Sequence, residues 1–411
     1  MKNHLPNIEK PSFMWHLRSL EDIKAASGFT LANYMNIILL VVFVYFAIRQ
    51  ARAKQQAAEK AGYEKRYIRA PEFPPIEEQQ DFDWKTTEPI PPPPLKSKYF
   101  LTMGRADSDD PGLEKLPPSE LLLIDKTYEE RIAYRRRIMA EQGKHIVNVN
   151  DDLRIRPAVV ELYQFLLGTY LPLRFPTMFK LHETEYEQGK AFMLENFITG
   201  ALFPAKVTAQ MSTERLLETL GRTVDEDFLF LLPEEDSDDP KYVLEAYVIA
   251  CASGFDPAEK IGKRLADIHG PVPGYSDKLE SSMDRFFSKV EVGKYVKRSN
   301  WSVTTDAELF TPGKGSVHAH EGDDIEEVDH VNLDTTFVRC ERQTLHRLPN
   351  SKALVFAFHT YLYPIKQIKE DGAGEELALA IDGLRLGNVP QMHFYKRGVV
   401  WGEAVKRYLR S

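Results

Sequence analysis

The sequence predicts an α+β fold in which helices pack on an antiparallel sheet, preceded by one N-terminal transmembrane helix and a Pro-rich linker. Three observations carry this. One segment near the N-terminus is almost purely apolar. Prolines crowd the stretch after it. Beyond them helix and strand patterns mix, with a well-capped helix followed by a two-strand pattern. The 411 residues are 43% hydrophobic and 28% charged, which excludes a disordered or collagen-like chain. A formal net charge of -8 argues against nucleic acid as the main partner, since phosphate binding wants a basic surface. Cys251 and Cys340 cannot build a disulfide framework, and a reducing compartment is the default.

The apolar segment runs from Leu31 to Ile48 without a charge and ends at Arg49. A spanning helix needs about 20 apolar residues with some tolerance, so this run is near the lower limit. Tyr34 and Tyr45 sit near its ends, where aromatics favour the interface. A signal peptide fits less well, because the run starts late and is long for a signal core. A buried soluble helix is the remaining alternative. After the span come Arg49, Arg52, Lys54, Lys60, Lys65, Arg66 and Arg69, which outweigh Glu59 and Glu64. The positive-inside rule therefore places the C-terminal bulk in the cytosol. The sequon at Asn300, Trp301 and Ser302 offers a check, since a lumenal bulk would expose it to glycosylation.

Residues 49–95 read as a basic helical extension followed by a stiff, extended spacer, with Pro71, Pro74, Pro75, Pro89 and the run Pro91 to Pro94. A PxxP ligand is the alternative reading. The chain then divides into a tail over 1–30, the span over 31–48, the extension and linker over 49–95, and one domain over 96–411.

Within the domain, Pro157 suits the first turn of a helix. The acidic stretch Glu234 to Asp239 reads as a polar turn, and Tyr242 to Ala252 as a buried strand. Pro257 to His269 is the best-defined helix: Asp256 caps it, Glu259 completes a D-x-x-E pattern, and Gly270 and Pro271 stop it. Another begins after Ser276 with an apolar face of Leu279, Met283, Phe286, Phe287 and Val290. Phe337 to Leu348 and Ala353 to Tyr363, joined by Pro349 to Lys352, predict a hairpin.

Many enzyme signatures are missing. There is no P-loop, G-x-S-x-G elbow, H-E-x-x-H, zinc-type CxxC pair or C-x-x-C-H. Neither cysteine lies in a thiolate-haem loop. His269 is the most informative histidine. It ends a capped helix on the apolar side, which fits either an imidazolium held by the helix dipole or a metal or haem ligand whose second nitrogen is fixed by a carbonyl. His318, His320 and His330 stand among acidic residues and suit an exposed loop better than a metal site. In the first hairpin strand, period-2 alternation puts Arg339, Glu341 and Gln343 on one face and Arg342 and Thr344 on the other. That is either a solvated edge or the polar wall of a cofactor pocket, where arginine binds carboxylates well.

A series of short motifs, in order, carries a family resemblance. They are Thr102 to Arg105, Leu171 to Pro176, Asp225 to Phe228, Lys260 to Gly262, Ile268 to Tyr275, Arg298 to Trp301, and Arg339 to Leu345 closed by Arg347 to Ser351. From about residue 90 to the end the chain resembles the haem-dependent oxidative N-demethylase family, which includes the α subunit of bacterial dimethylamine monooxygenase and membrane-tethered fungal relatives. The resemblance implies a PAS-like α+β fold holding haem b. It implies O2 activation with electrons from NAD(P)H through a partner reductase, and oxidation of a methylamine with release of formaldehyde. His269 becomes the expected axial iron ligand. Lys260, Arg342 and Arg339 become expected cofactor-binding residues, and Glu341, Gln343 and Asn300 the expected catalytic ones. Phe255 departs from the tryptophan expected ahead of the capped helix.

The expectation is a membrane-anchored haem monooxygenase acting on a small amine or metabolite, on the endoplasmic reticulum or another endomembrane, with its domain in the cytosol. The alternatives are a haem-binding PAS-type sensor or redox protein without turnover, and a non-catalytic scaffold with a structural His269.

Overall fold

The computed structural model describes residues 38–50, 52, 66–98, 112–186, 189–235, 237–313, 317–320, 322–323 and 325–411. Residues 1–64 and 65–411 are separate compact units. In the first, residues 38–50 are helical and their apolar side chains are exposed. Residues 31–37 of the predicted span lie outside the described residues, as does the Thr102 to Arg105 motif. Among the described residues no helix is long and apolar enough to cross a membrane.

The second unit is built on a seven-stranded sheet in which every pairing is antiparallel. Its strands are β1 (Glu114–Leu116), β2 (Val147–Val149), β6 (Asp227–Pro233), β7 (Tyr242–Val248), β8 (Tyr295–Thr304), β9 (Phe337–Arg347) and β10 (Leu354–Pro364), in the order β1-β8-β9-β10-β6-β7-β2. A smaller sheet joins β3 (Phe179–Tyr186), β4 (Gly189–Asn196) and β5 (Ala201–Pro204). The predicted hairpin is β9 and β10, in register from Arg347 opposite Leu354 to Phe337 opposite Pro364. The predicted acidic turn lies between β6 and β7.

Alternation divides the large sheet. Leu229, Leu231, Glu341, Gln343, Phe356 and Phe358 line a cavity on one face. Their neighbours Phe228, Phe230, Val355 and Ala357 are buried without lining it. Two-sided burial of that kind removes roughly 2 kcal/mol worth of apolar surface from water per large side chain.

Helix α1 (Tyr128–Gln142) is tied to the sheet by a buried ion pair. Arg135 donates to Asp227 Oδ1 at 2.7 Å, and to the carbonyls of Gly221 and Glu226 at 2.9 and 2.7 Å. Asp227 also accepts from the amides of Ala250 and Cys251. Beside it, burial opposes the charge of Asp225, but Arg131, His359 and Arg135 outweigh it and pull the carboxyl down to about 2. The Asp225 to Phe228 motif is therefore a structural hub. Helix α2 begins earlier than expected. It spans Asp152–Phe165, because the Asp151 side chain caps the amides of Leu153 and Arg154, and Pro157 falls inside it; α3 (Leu171–Arg174) and α4 (Thr213–Gly221) follow.

The Pro-rich stretch is extended, as its prolines dictate, but it is a strap packed on the domain and not a spacer. The ring of Phe73 stacks on Phe165 with centroids 3.8 Å apart and planes 4° apart. Ile68 donates to the carbonyl of Gly168 at 2.7 Å, and a Cβ on Gly168 would come within 2.9 Å of the Ile68 side chain. Further along, Tyr363 donates to the Ile90 carbonyl, and the Leu95 amide donates to Glu376. Gly383 lets the strap lie against its helix, since a Cβ there would meet the Ser97 carbonyl oxygen at 2.5 Å. The compact unit thus starts at Lys65, well before the expected boundary at 96.

The predicted helix from Pro257 to His269 is split. Asp256 does cap its start, accepting from the Ala258 amide at 2.9 Å. Only a 3-10 turn, Pro257–Glu259, and a short helix α5, Leu265–His269, are helical. Between them Gly262 adopts φ +72, and residues 262–264 turn to the edge of β7, with Gly262 N bonded to Leu244 O and Leu244 N to Lys263 O. Unpaired edge amides are costly to leave, so the local helix signal yields to the sheet.

If the strap is part of the folded unit, Phe73→Ala lowers unfolding stability by about 3 kcal/mol, the usual cost of deleting a buried ring. Urea unfolding that shows no change would restore the spacer reading.

Candidate functional site

The cavity has a volume of about 1030 Å³. One side is the sheet, through β6 to β10. The other is the segment from Gly254 to Phe287, which includes α5, α6 (Tyr275–Lys278) and α7 (Glu280–Lys289). The strap reaches it through Pro93, Pro94, Lys96 and Lys98. Apolar side chains such as Leu244, Leu265, Phe286 and Phe356 make most of the wall, with a few polar groups among them, as expected for a site that buries a large ligand.

His269 borders this cavity. Its Nδ1 lies 2.8 Å from the carbonyl oxygen of Leu265, one turn back in α5, and the ring stacks on Tyr275 at 4.8 Å and 10°. A carbonyl only accepts, so Nδ1 carries the proton and Nε2 keeps its lone pair. Burial pushes the imidazole down to about 4, and Arg298 and Lys260 act in the same direction, outweighing the Leu265 bond. The imidazolium reading is thereby overturned: a five-residue helix offers little dipole, and desolvation wins. A neutral imidazole with one nitrogen fixed by a carbonyl is what a metal ligand requires.

Lys260 also borders the cavity, with Nζ 3.3 Å from the Ile268 carbonyl, and burial lowers its pKa. Asn300, Glu341 and Gln343 stand together on β8 and β9, with Asn300 directly opposite Glu341. Gln343 Nε2 donates to Glu341 Oε2 at 2.9 Å, and Asn300 Nδ2 reaches the same oxygen at 3.4 Å. Arg298 Nε donates to Gln343 Oε1 at 2.7 Å. At the other end Lys396 Nζ donates to Asn300 Oδ1 at 3.1 Å and to the Trp301 carbonyl. The polar wall is therefore real, and it continues beyond the predicted residues.

Two predicted cofactor-binding residues are placed elsewhere. Arg342 points to the opposite sheet face by the same alternation, and its guanidinium is taken by the carbonyls of Glu120 and Leu121. Arg339 is buried and donates to the carbonyls of Cys251 and Leu309. Neither lines the cavity. The sequon is part of β8, with the Asn300 amide inside the hydrogen-bonded wall, so it cannot report which side of a membrane the domain occupies.

His318 and His320 also depart from expectation. Both line the cavity, and His318 stacks on Tyr395 at 4.3 Å and 15°. Burial, with Lys396 next, pushes the His318 imidazole down to about 3. His330 is exposed as expected. Ile325, Val328 and Val331 pack against the C-terminal core around Trp401, which draws this polar stretch onto the body. No group of metal ligands is assembled among the described residues. Lys396 itself had no signal in the sequence. It becomes notable only because β8 and the turn before the last helix meet. Phe255, the departure from the expected tryptophan, is at the cavity wall.

A family model described as haem-dependent oxidative N-demethylase, alpha subunit-like, matches residues 112–406.

The His269 environment fixes the sign of a pH effect. Below about pH 6.5 the unfolded chain binds a proton that the folded chain refuses until about pH 4, so this residue's contribution to stability is lost as pH falls through that window. Ring nitrogen shifts of His269, assigned with a His269→Gln variant, are expected to show a neutral Nδ1–H tautomer at pH 6. A midpoint near the ordinary value would contradict the geometry.

Proposed function

Because the chain belongs to the haem-dependent oxidative N-demethylase alpha subunit-like family, we propose that it is a b-type haem monooxygenase that oxidises a small amine at an N-methyl group. The observation that carries this reading is His269, with Nδ1 committed to the Leu265 carbonyl and its ring against a cavity of about 1030 Å³. The fit to haem is good on three counts. The volume is at the upper end of small-molecule sites, room for a macrocycle and a small substrate. The walls are mainly apolar, and Lys260 and Arg298 supply cations close to His269 for the propionates. The strand order β7-β6-β10-β9-β8, with the helical segment between β7 and β8, supports the PAS-like reading that the resemblance implies.

Bound haem would supply reductive activation of O2, with electrons from NAD(P)H delivered by a partner reductase. The chain's own residues do the rest. His269 would hold the iron through Nε2, since Nδ1 is committed to the Leu265 carbonyl. Glu341 has Oε2 bonded to two amides, while Oε1 makes no hydrogen bond among the described residues. Oε1 is then the acceptor for the substrate's N–H, which orients the N-methyl group. The apolar walls exclude water from the reacting centre. Oxidation of the methyl carbon yields a carbinolamine, which collapses to the demethylated amine and formaldehyde, or an imine, which gives the same products once it has left the apolar site and added water. We take residues 31–48 to anchor the protein in the endoplasmic reticulum or another endomembrane, with the catalytic unit in the cytosol. The exposed apolar helix over 38–50 supports this reading.

Purified protein reconstituted with haem is expected to show a Soret band that His269→Ala shifts or abolishes. No Soret band in the wild type would end the haem reading. Glu341→Gln is expected to retain the band and lose tenfold or more in kcat/KM with a methylamine and a reductase, the scale of one charge-assisted hydrogen bond, about 1.5–3 kcal/mol. A Soret band with no turnover under these conditions would leave a sensor.

A further inference from the structure

The polar wall has an order that its members do not show singly. From one end it reads Lys396, Asn300, Glu341, Gln343, Arg298: cation, amide, carboxylate, amide, cation. Lysine and arginine carry only donors. The oxygen of Asn300 must therefore face Lys396, and the oxygen of Gln343 must face Arg298. Each amide has then only its NH2 left to offer, and both NH2 groups converge on Oε2 of Glu341. Reversal of either amide would set oxygen against carboxylate and leave a cation facing a donor.

Lys396 is costly to keep where it is. It is 4% exposed, its Nζ stands 5.3 Å from the centre of the Trp301 ring, and burial lowers its pKa to about 8 against the pull of Glu341. The backbone beside it is strained as well. Arg397 takes φ 56, a left-handed conformation rare without glycine, and a Cβ on Gly398 would meet the His393 ring at 2.8 Å. The turn is thus over-determined, and what it fixes is the direction of the Lys396 side chain.

We infer that Lys396 is a positioning residue: by fixing Asn300 it makes Glu341 present a single carboxyl oxygen, Oε1, to the cavity, a subsite for one alkylammonium group. This rests on the amine-oxidation reading of the cavity and names the residue that makes its carboxylate selective. Charge alone predicts the opposite effect, because an ammonium near the site repels a cation. The two accounts therefore differ in sign.

The test uses full-length holoprotein, without reductase, and dimethylammonium, which keeps its charge and its N–H donors across the pH range used. Calorimetry measures its binding, and the Soret band is recorded on the same samples. Lys396→Met is expected to weaken binding by about tenfold, the scale of one charge-assisted hydrogen bond, while Lys396→Arg restores it to within about threefold. Wild-type affinity is expected to fall as pH rises through about 8, and the Met variant to lack that inflection. If Lys396→Met does not fold, Asn300→Leu asks the same question and is expected to weaken binding equally. Unchanged or tighter binding in the Met variant, or in the Leu variant where that replaces it, overturns the inference. So does a wild type that shows its Soret band but does not bind the cation. Loss of the haem reading appears separately, as an absent Soret band, and the calorimetric comparison still decides the role of Lys396.

Discussion

The buried pair of Arg135 and Asp227 is the interaction on which the rest of the domain depends. It joins α1 to the start of β6, and Asp227 also takes the amides of Ala250 and Cys251 just beyond β7. That is where the chain leaves the sheet for the segment that carries His269. Both charges are almost fully out of water, so each is tolerable only because its hydrogen bonds are met. Removal of either partner would leave the other stranded, a cost of roughly 3–5 kcal/mol. A family motif, Asp225 to Phe228, is thereby explained by packing rather than chemistry.

The sheet above this hub has two different jobs on its two faces. Period-2 alternation sends Arg342 toward the turn at Glu120 and sends Glu341 and Gln343 into the cavity. One face is therefore a conventional packed core, and the other is an apolar chamber with a single polar stripe. Histidine follows the same logic. His269 and His318 are both kept neutral by burial, but only His269 has one nitrogen tied to a carbonyl in its own helix. Desolvation sets the charge state, and the local bond sets the tautomer.

Local patterns decided the elements whose partners are near in sequence. The hairpin of β9 and β10 was legible because strand patterns flank a turn of Pro349 to Lys352, and pairing across so short a loop costs little entropy. The cap at Asp256 and the end at Gly270 were legible for the same reason. The helix between them was not continuous, because the edge of β7 recruits residues 262–264, and no local signal records a strand edge. The strap misled in another way. Proline enrichment correctly gave an extended backbone, but whether an extended segment is free or docked depends on Phe165, Gly168 and Gly383, far along the chain.

The sequence by itself determined the α+β class, the hairpin and the apolar N-terminal segment, and through the family resemblance it singled out His269, Glu341, Gln343 and Asn300, all of which line the cavity. Periodicity and capping are properties of neighbours, so a single chain displays them. Only the tertiary structure decided that Arg339 and Arg342 turn away to carbonyls, that His318 comes in, and that Lys396 closes the polar wall. Those choices depend on which surfaces meet across the fold, and burial then fixes each group's charge and each amide's direction.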